Sequence, residues 1–189
     1  MGLWEVITGK RKVKGPAPDR LFAMSTAEVT LTTQLGMTSK GEAAIVFQAL
    51  ATADFASIVT DMQEVVGGTS SDSGTQLESR DDEFGYRWMV LRDDDFDDLV
   101  VGINAVSGAL QAGGYGDRVL CAVFAWLEGK QPVYWIYNYK RGTFYPFVPA
   151  TGEQQRDSEH ELRLQAQIGK DLPIEPELER WFPLWGAPL

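Results

Sequence analysis

The sequence predicts an α+β fold, an antiparallel sheet with helices packed on it, and three observations carry that prediction. The first is Arg118–Pro149, which reads as a three-stranded meander joined by two tight turns. The second is a hairpin pattern, Gln76–Arg80 and Tyr86–Leu91, folded around Asp81-Asp82-Glu83. The third is a pair of amphipathic helical stretches, from Asp54 and from Asp95, that separate these strand clusters.

In chain order, residues 1–18 form a basic head with a Pro/Gly linker, and residues 19–189 form a single α+β domain. Leu3, Trp4, Val6 and Ile7 make a short apolar stripe. Lys10, Arg11, Lys12 and Lys14 follow it, and then Gly15-Pro16-Ala17-Pro18, which no helix should cross. Asp19–Leu35 reads as helical, with Ser25-Thr26-Ala27-Glu28 at capping-box spacing and Gly36 placed as a C-terminal cap. The β-branched run Val29–Thr33 keeps a strand open as its alternative. Lys40-Gly41 reads as a turn into a short strand, Ala43–Gln48.

Asp54 is placed to cap a helix whose face is Phe55, Ile58, Val59, Met62, Val65 and Val66, ended by Gly67-Gly68. A Ser/Gly loop over 69–74 then leads to the hairpin. Asp93–Asp98 opens the next helix, with Phe96, Leu99, Val100, Ile103, Val106 and Leu110 as its buried face and Gly113-Gly114 as its end. In the meander, Val119–Leu127 is apolar throughout, as in a strand covered on both faces. Val133, Trp135, Tyr137 and Tyr139 alternate onto one face of the next strand. Pro146 puts the third strand at a sheet edge or makes it leave the sheet there. Thr151–Gln154 is placed to start a last helix through Ile168, and Pro176 a final turn bearing Trp181 and Phe182.

Charge and composition narrow the function classes. The chain has 189 residues, a net charge of −10, one cysteine and one histidine. That balance argues against nucleic acid as a partner, which calls for a broad basic face. Lone Cys121 forms no internal disulfide and points to a reducing, cytoplasmic setting. The first residues lack the apolar core of a signal peptide, and no run approaches the ~18 apolar residues of a spanning helix. The asymmetry is local: Met1–Arg20 carries five basic residues against two acids, an excess of +3 on an acidic chain.

No catalytic, cofactor-binding or metal-binding residues emerge. Counted as a calcium loop from Asp93, the sixth and twelfth positions are Asp98 and Asn104, so the register fails. The acids instead suit a helix N-terminus. Ala112–Gly116 is glycine-rich but follows a helix and opens a strand, the reverse of a phosphate loop. His160 reads as a solvated histidine on the polar side of the last helix, and Cys121 as a protonated core thiol. Tyr134, Tyr137 and Tyr139 carry hydroxyls suited to a wet edge, and so to a partner-binding face.

Several segments together resemble the PspA-associated protein PspAB family, small proteins encoded beside a homologue of phage shock protein A. They are the Met-Gly-apolar head with its basic segment, Asp19-Arg20-Leu21-Phe22-Ala23, Asp95-Phe96-Asp97-Asp98-Leu99, the meander, and Arg180-Trp181-Phe182-Pro183-Leu184-Trp185. The resemblance implies an accessory role in the bacterial envelope-stress (phage shock) response, with a PspA-like coiled-coil protein as partner. It carries over no catalytic residues. By analogy alone, the element order is also similar to secretion-chaperone-like α+β folds.

The resulting expectation is a non-enzymatic, cytoplasmic adaptor, peripheral at the inner face of the cell membrane. Leu3, Trp4, Ile7, Lys10, Arg11, Lys12 and Lys14 are expected to meet the partner or an anionic membrane surface. Two alternatives stand beside it. One is a small-ligand binder or enzyme with a pocket between the sheet and the helix from Asp95. The other is a scaffolding homodimer formed through the edge strand near Pro146.

Overall fold

The structure, a computed structural model, describes residues 20–53, 55–62, 64, 74–82, 84–152 and 154–189. The apolar and basic residues of the head, Asp54, and Val65–Gly68 lie outside the described residues. Six antiparallel strands form one open sheet in the order β2-β3-β1-β4-β5-β6. They are β1 (Met37–Gln48), β2 (Gln76–Asp81), β3 (Tyr86–Arg92), β4 (Val119–Glu128), β5 (Gln131–Asn138) and β6 (Thr143–Phe147). The helices are α1 (Ala23–Thr33), α2 (55–62), α3 (Phe96–Ala112) and α4 (Ser158–Ile168). The hairpin and the meander are thus halves of a single sheet, joined by β1, which pairs with both β3 and β4.

β1 takes the centre because Ala43–Phe47 is buried at five consecutive positions, so both of its faces find apolar cover. It is also longer than the sequence suggested. Lys40-Gly41 is a bulge inside the strand, where the register to β4 shifts between Ser39 and Glu42. Gly41 has φ +67, and a Cβ there would lie 2.8 Å from the Asp93 carbonyl, so the chain passes only as glycine.

Helices cover one face of the sheet. The α3 residues expected to be buried, Phe96, Leu99, Val100, Ile103, Val106 and Leu110, all are. Asp95 caps this helix, its side chain accepting from the backbone N–H groups of Asp97 and Asp98. Phe96 meets Trp126 edge-on at 5.0 Å and Phe124 at 5.8 Å. Trp135, Tyr137 and Tyr139 of the meander join this inner core, so the hydroxyls of Tyr137 and Tyr139 do not form the wet edge expected of them. The alternation of the strand places these tyrosines under the helices, and only Tyr134 is left half-buried on the other face.

Two helix starts differ from the sequence reading. α1 begins after Phe22 with no side-chain cap, so Ser25 lies inside the helix rather than at its end. Its position follows from Leu21, Met24, Ala27 and Leu31, all fully buried at helical spacing, which also decides against a strand. α4 starts at Ser158, not near Thr151, and Asp157 accepts from the His160 N–H at 2.9 Å. Gln154 has φ +52 and shapes a turn there instead.

The β6 edge is covered by the chain itself. The Phe144 N–H donates to the Pro173 carbonyl and the Phe144 carbonyl accepts from the Glu175 N–H, both at 2.8 Å. The expected edge position of Pro146 is correct, but a homodimer through that edge would first have to displace this segment. Among the described residues, no helix is long and apolar enough to cross a membrane.

Candidate functional site on the outer face of the sheet

The face turned away from the helices carries a second apolar layer, and the segment after α4 crosses only part of it. Trp181 is buried, stacks on Tyr145 with ring centres 6.2 Å apart, and donates its indole N–H to the Glu175 carbonyl at 3.0 Å. Trp185 sets its ring edge-on to Phe147 at 4.9 Å. The Tyr145 hydroxyl donates to the Phe182 carbonyl at 3.2 Å. These contacts hold residues 181–189 over β5 and β6; beside them Val46, Trp88 and Cys121, each at most 9% exposed, line a space that the tail does not fill.

That space is a groove of about 940 Å³. Its floor follows from strand register. Arg80 pairs with Trp88, Trp88 with Val46, Val46 with Cys121, and Cys121 with Asn138, so one row of residues crosses five strands. The β2–β3 turn forms one wall and Phe182, Leu184 and Trp185 form the other. Asp82 fixes the turn: its carboxylate accepts from the N–H groups of Phe84 and Tyr86 at 2.9 Å and from the Trp88 indole at 3.0 Å. Phe84 and Phe182 stand at the rim 73% and 60% exposed.

The rim charges are mostly engaged. Arg87 grips Asp81 with two bonds, 2.6 and 2.8 Å, and holds its carboxyl below the usual carboxylate range. Arg80 does the same to Glu78. Lys140 has no acid within ion-pair distance among the described residues. In the floor, burial pushes the Cys121 thiol up to about 12, so it is protonated at neutral pH and is not a nucleophile. The described lining therefore offers apolar contact with polar rims, and its one thiol is not a nucleophile.

A second cluster locks the wall in place. Glu161 of α4 is 2% exposed and accepts from the Val148 N–H at 2.9 Å and from the Arg156 guanidinium at 2.7–3.1 Å. Arg156 also donates to the Trp181 carbonyl at 2.6 Å, tying helix, strand exit and tail together. His160, expected in solvent, is buried with its Nε2 against the Glu128 carboxylate. The α4 face bearing Leu164 and Ile168 turns inward and takes His160 with it. Among the described residues, no three His, Cys, Asp or Glu side chains converge to hold a metal ion.

The residues singled out from sequence, Leu3, Trp4, Ile7, Lys10, Arg11, Lys12 and Lys14, lie outside the described residues. Between the sheet and α3, where a ligand pocket was the alternative expectation, the described side chains form the inner core, and the groove opens on the opposite face. The groove was not foreseen. Its signal was the alternation of Tyr86, Trp88 and Val90 opposite Ala44 and Val46, which needs the strand register before it can be read.

Over residues 1–189, the whole chain, the sequence matches the family described as PspAB, PspA associated protein B. No curated protein and no solved structure matches it.

Proposed function

The chain belongs to the PspA associated protein B family, and from that membership we propose that it is a non-enzymatic adaptor of the phage-shock response. It acts by binding a PspA-like coiled-coil protein in the cytoplasm, at the inner face of the membrane. The observation that carries this reading is the family match over the full length, whose description names an association and no reaction. The groove is in keeping with it, since an apolar floor with exposed aromatic rims suits a peptide or helix surface better than it suits catalysis.

The docking element in this reading is the head, a unit separable from the domain that follows it. Leu3, Trp4 and Ile7 supply apolar contact, and Lys10, Arg11, Lys12 and Lys14 supply charge. Each basic residue near an anionic surface contributes about 1 kcal/mol. Beyond Arg20 the chain holds twelve basic against 25 acidic residues, and this body repels the same surface, screened beyond ~8 Å at physiological salt. Binding is therefore reversible and salt-sensitive. Co-sedimentation with anionic and with neutral vesicles tests it. The full chain should pellet only with anionic vesicles at low salt, and a chain lacking residues 1–14 should not pellet. Equal pelleting of both chains would remove the head from this role.

A further inference from the structure

We infer that the outer-face groove is the seat of the chain's own N-terminal head, with Leu3, Trp4, Val6 and Ile7 filling it in a closed form of the molecule. Three observations select this occupant. The first is the state of the groove. About 940 Å³ of apolar-floored space is edged by Phe84 at 73% and Phe182 at 60% exposure, an arrangement that calls for apolar cover.

The second is where the head is attached. Arg20 is the first described residue, and its guanidinium donates to the Gly142 carbonyl at 3.5 Å in the β5–β6 turn. Lys140 of the same turn lines the groove. Ile7 lies 13 residues before Arg20, a reach of up to about 43 Å at ~3.3 Å per residue. The row from Arg80 to Asn138 spans four strand spacings, about 19 Å. The tether reaches the floor with slack, yet keeps the head at an effective concentration on the order of 1 mM.

The third is chemistry. Four large apolar residues fall within five positions of the head, and they match the aromatic walls of the groove. The rim carries two acids, Asp81 and Asp82, and two bases, Arg80 and Lys140, so it neither selects nor rejects charge. The wider field favours the head, which is +3 against a remainder of twelve basic and 25 acidic residues. A contact worth only ~0.1 mM as a free peptide would close the molecule about tenfold under this tether. Seating hides the residues proposed above to meet the membrane or the partner, so the closed form is the unengaged form. That consequence rests on the proposed function; the seating does not.

The test is a nitroxide label on Gly2→Cys in the full chain, read by broadening of backbone and indole signals. The labelled chain also carries Cys121→Ala, because Cys121 lines the groove and a label there would broaden the same signals. The expected result is strong broadening at Tyr86, Trp88 and Trp185, unchanged on dilution and lost in Trp4→Asp. Absence of broadening there would overturn the seat. So would broadening that appears only between labelled and unlabelled copies, which would make the occupant a second chain. In Phe84→Ser, a substitution at an exposed rim position, binding to anionic vesicles should tighten by up to about tenfold as the head is released. If no variant binds vesicles but the broadening holds, the seat stands and the membrane role fails. If vesicles are bound through the head without broadening, the seat fails and the membrane role stands.

Discussion

Replacing Glu161 by alanine tests whether the wall of the groove is held as described. The carboxylate is the acceptor for the buried Val148 N–H and the counter-charge of Arg156. Losing the first leaves a buried donor unpaired, a cost of about 1–3 kcal/mol. Losing the second strands a guanidinium whose partner is gone, which in a fully buried pair costs about 3–5 kcal/mol. Arg156 is 23% exposed and keeps the Trp181 carbonyl, so water and that bond offset much of this. The sum we expect is about 3 kcal/mol, or a fall of roughly 6–12 °C in Tm for a chain of this size. Glu161→Gln retains an acceptor and should cost about half as much. Urea unfolding reads both variants, with an unchanged slope showing that only stability moved. A loss below about 1 kcal/mol in Glu161→Ala would refute the claim that this carboxylate fastens α4 to β6 and the tail.

Two further outcomes follow from the same structure. Phe124→Ala, at a fully buried site against Phe96, should cost about 3–5 kcal/mol in the same assay; an unchanged midpoint would mean that the α3–β4 contact is not part of the core. Arg87 depresses the Asp81 carboxyl, so the pair's stabilisation is present above the ordinary Asp value of 3.8 and fades as pH falls through the lower folded value. Because Asp81 is mostly exposed, the effect is below about 1 kcal/mol. In Arg87→Gln, the Asp81 titration followed by NMR should return toward 3.8; an unmoved titration would show that Arg87 is not its cause.

Much of the fold was legible because its signals are local. The α3 stripe and its Asp95 cap, the alternation in β5, and the effect of Pro146 each declare themselves within a dozen residues. What was missed is non-local. Nothing in Lys40-Gly41 distinguishes a turn from a bulge until β4 and the Asp93 carbonyl are alongside. His160 sits among charged neighbours in sequence, yet the face that α4 buries is set by Leu164 and Ile168. The groove is the extreme case, since its floor takes one residue from each of five strands. No single stretch of chain contains it.

The central claim is that the chain works by binding a PspA-like protein through its head, and calorimetric titration of that protein into the full chain tests it most directly. The account predicts saturable, salt-weakened binding by the full chain. Deleting residues 1–14 should reduce that binding at least tenfold while lowering the melting midpoint by no more than about 3–6 °C, the effect of losing a head seated about tenfold. Binding of equal strength by the shortened chain, or none by the full chain under low salt, would contradict it.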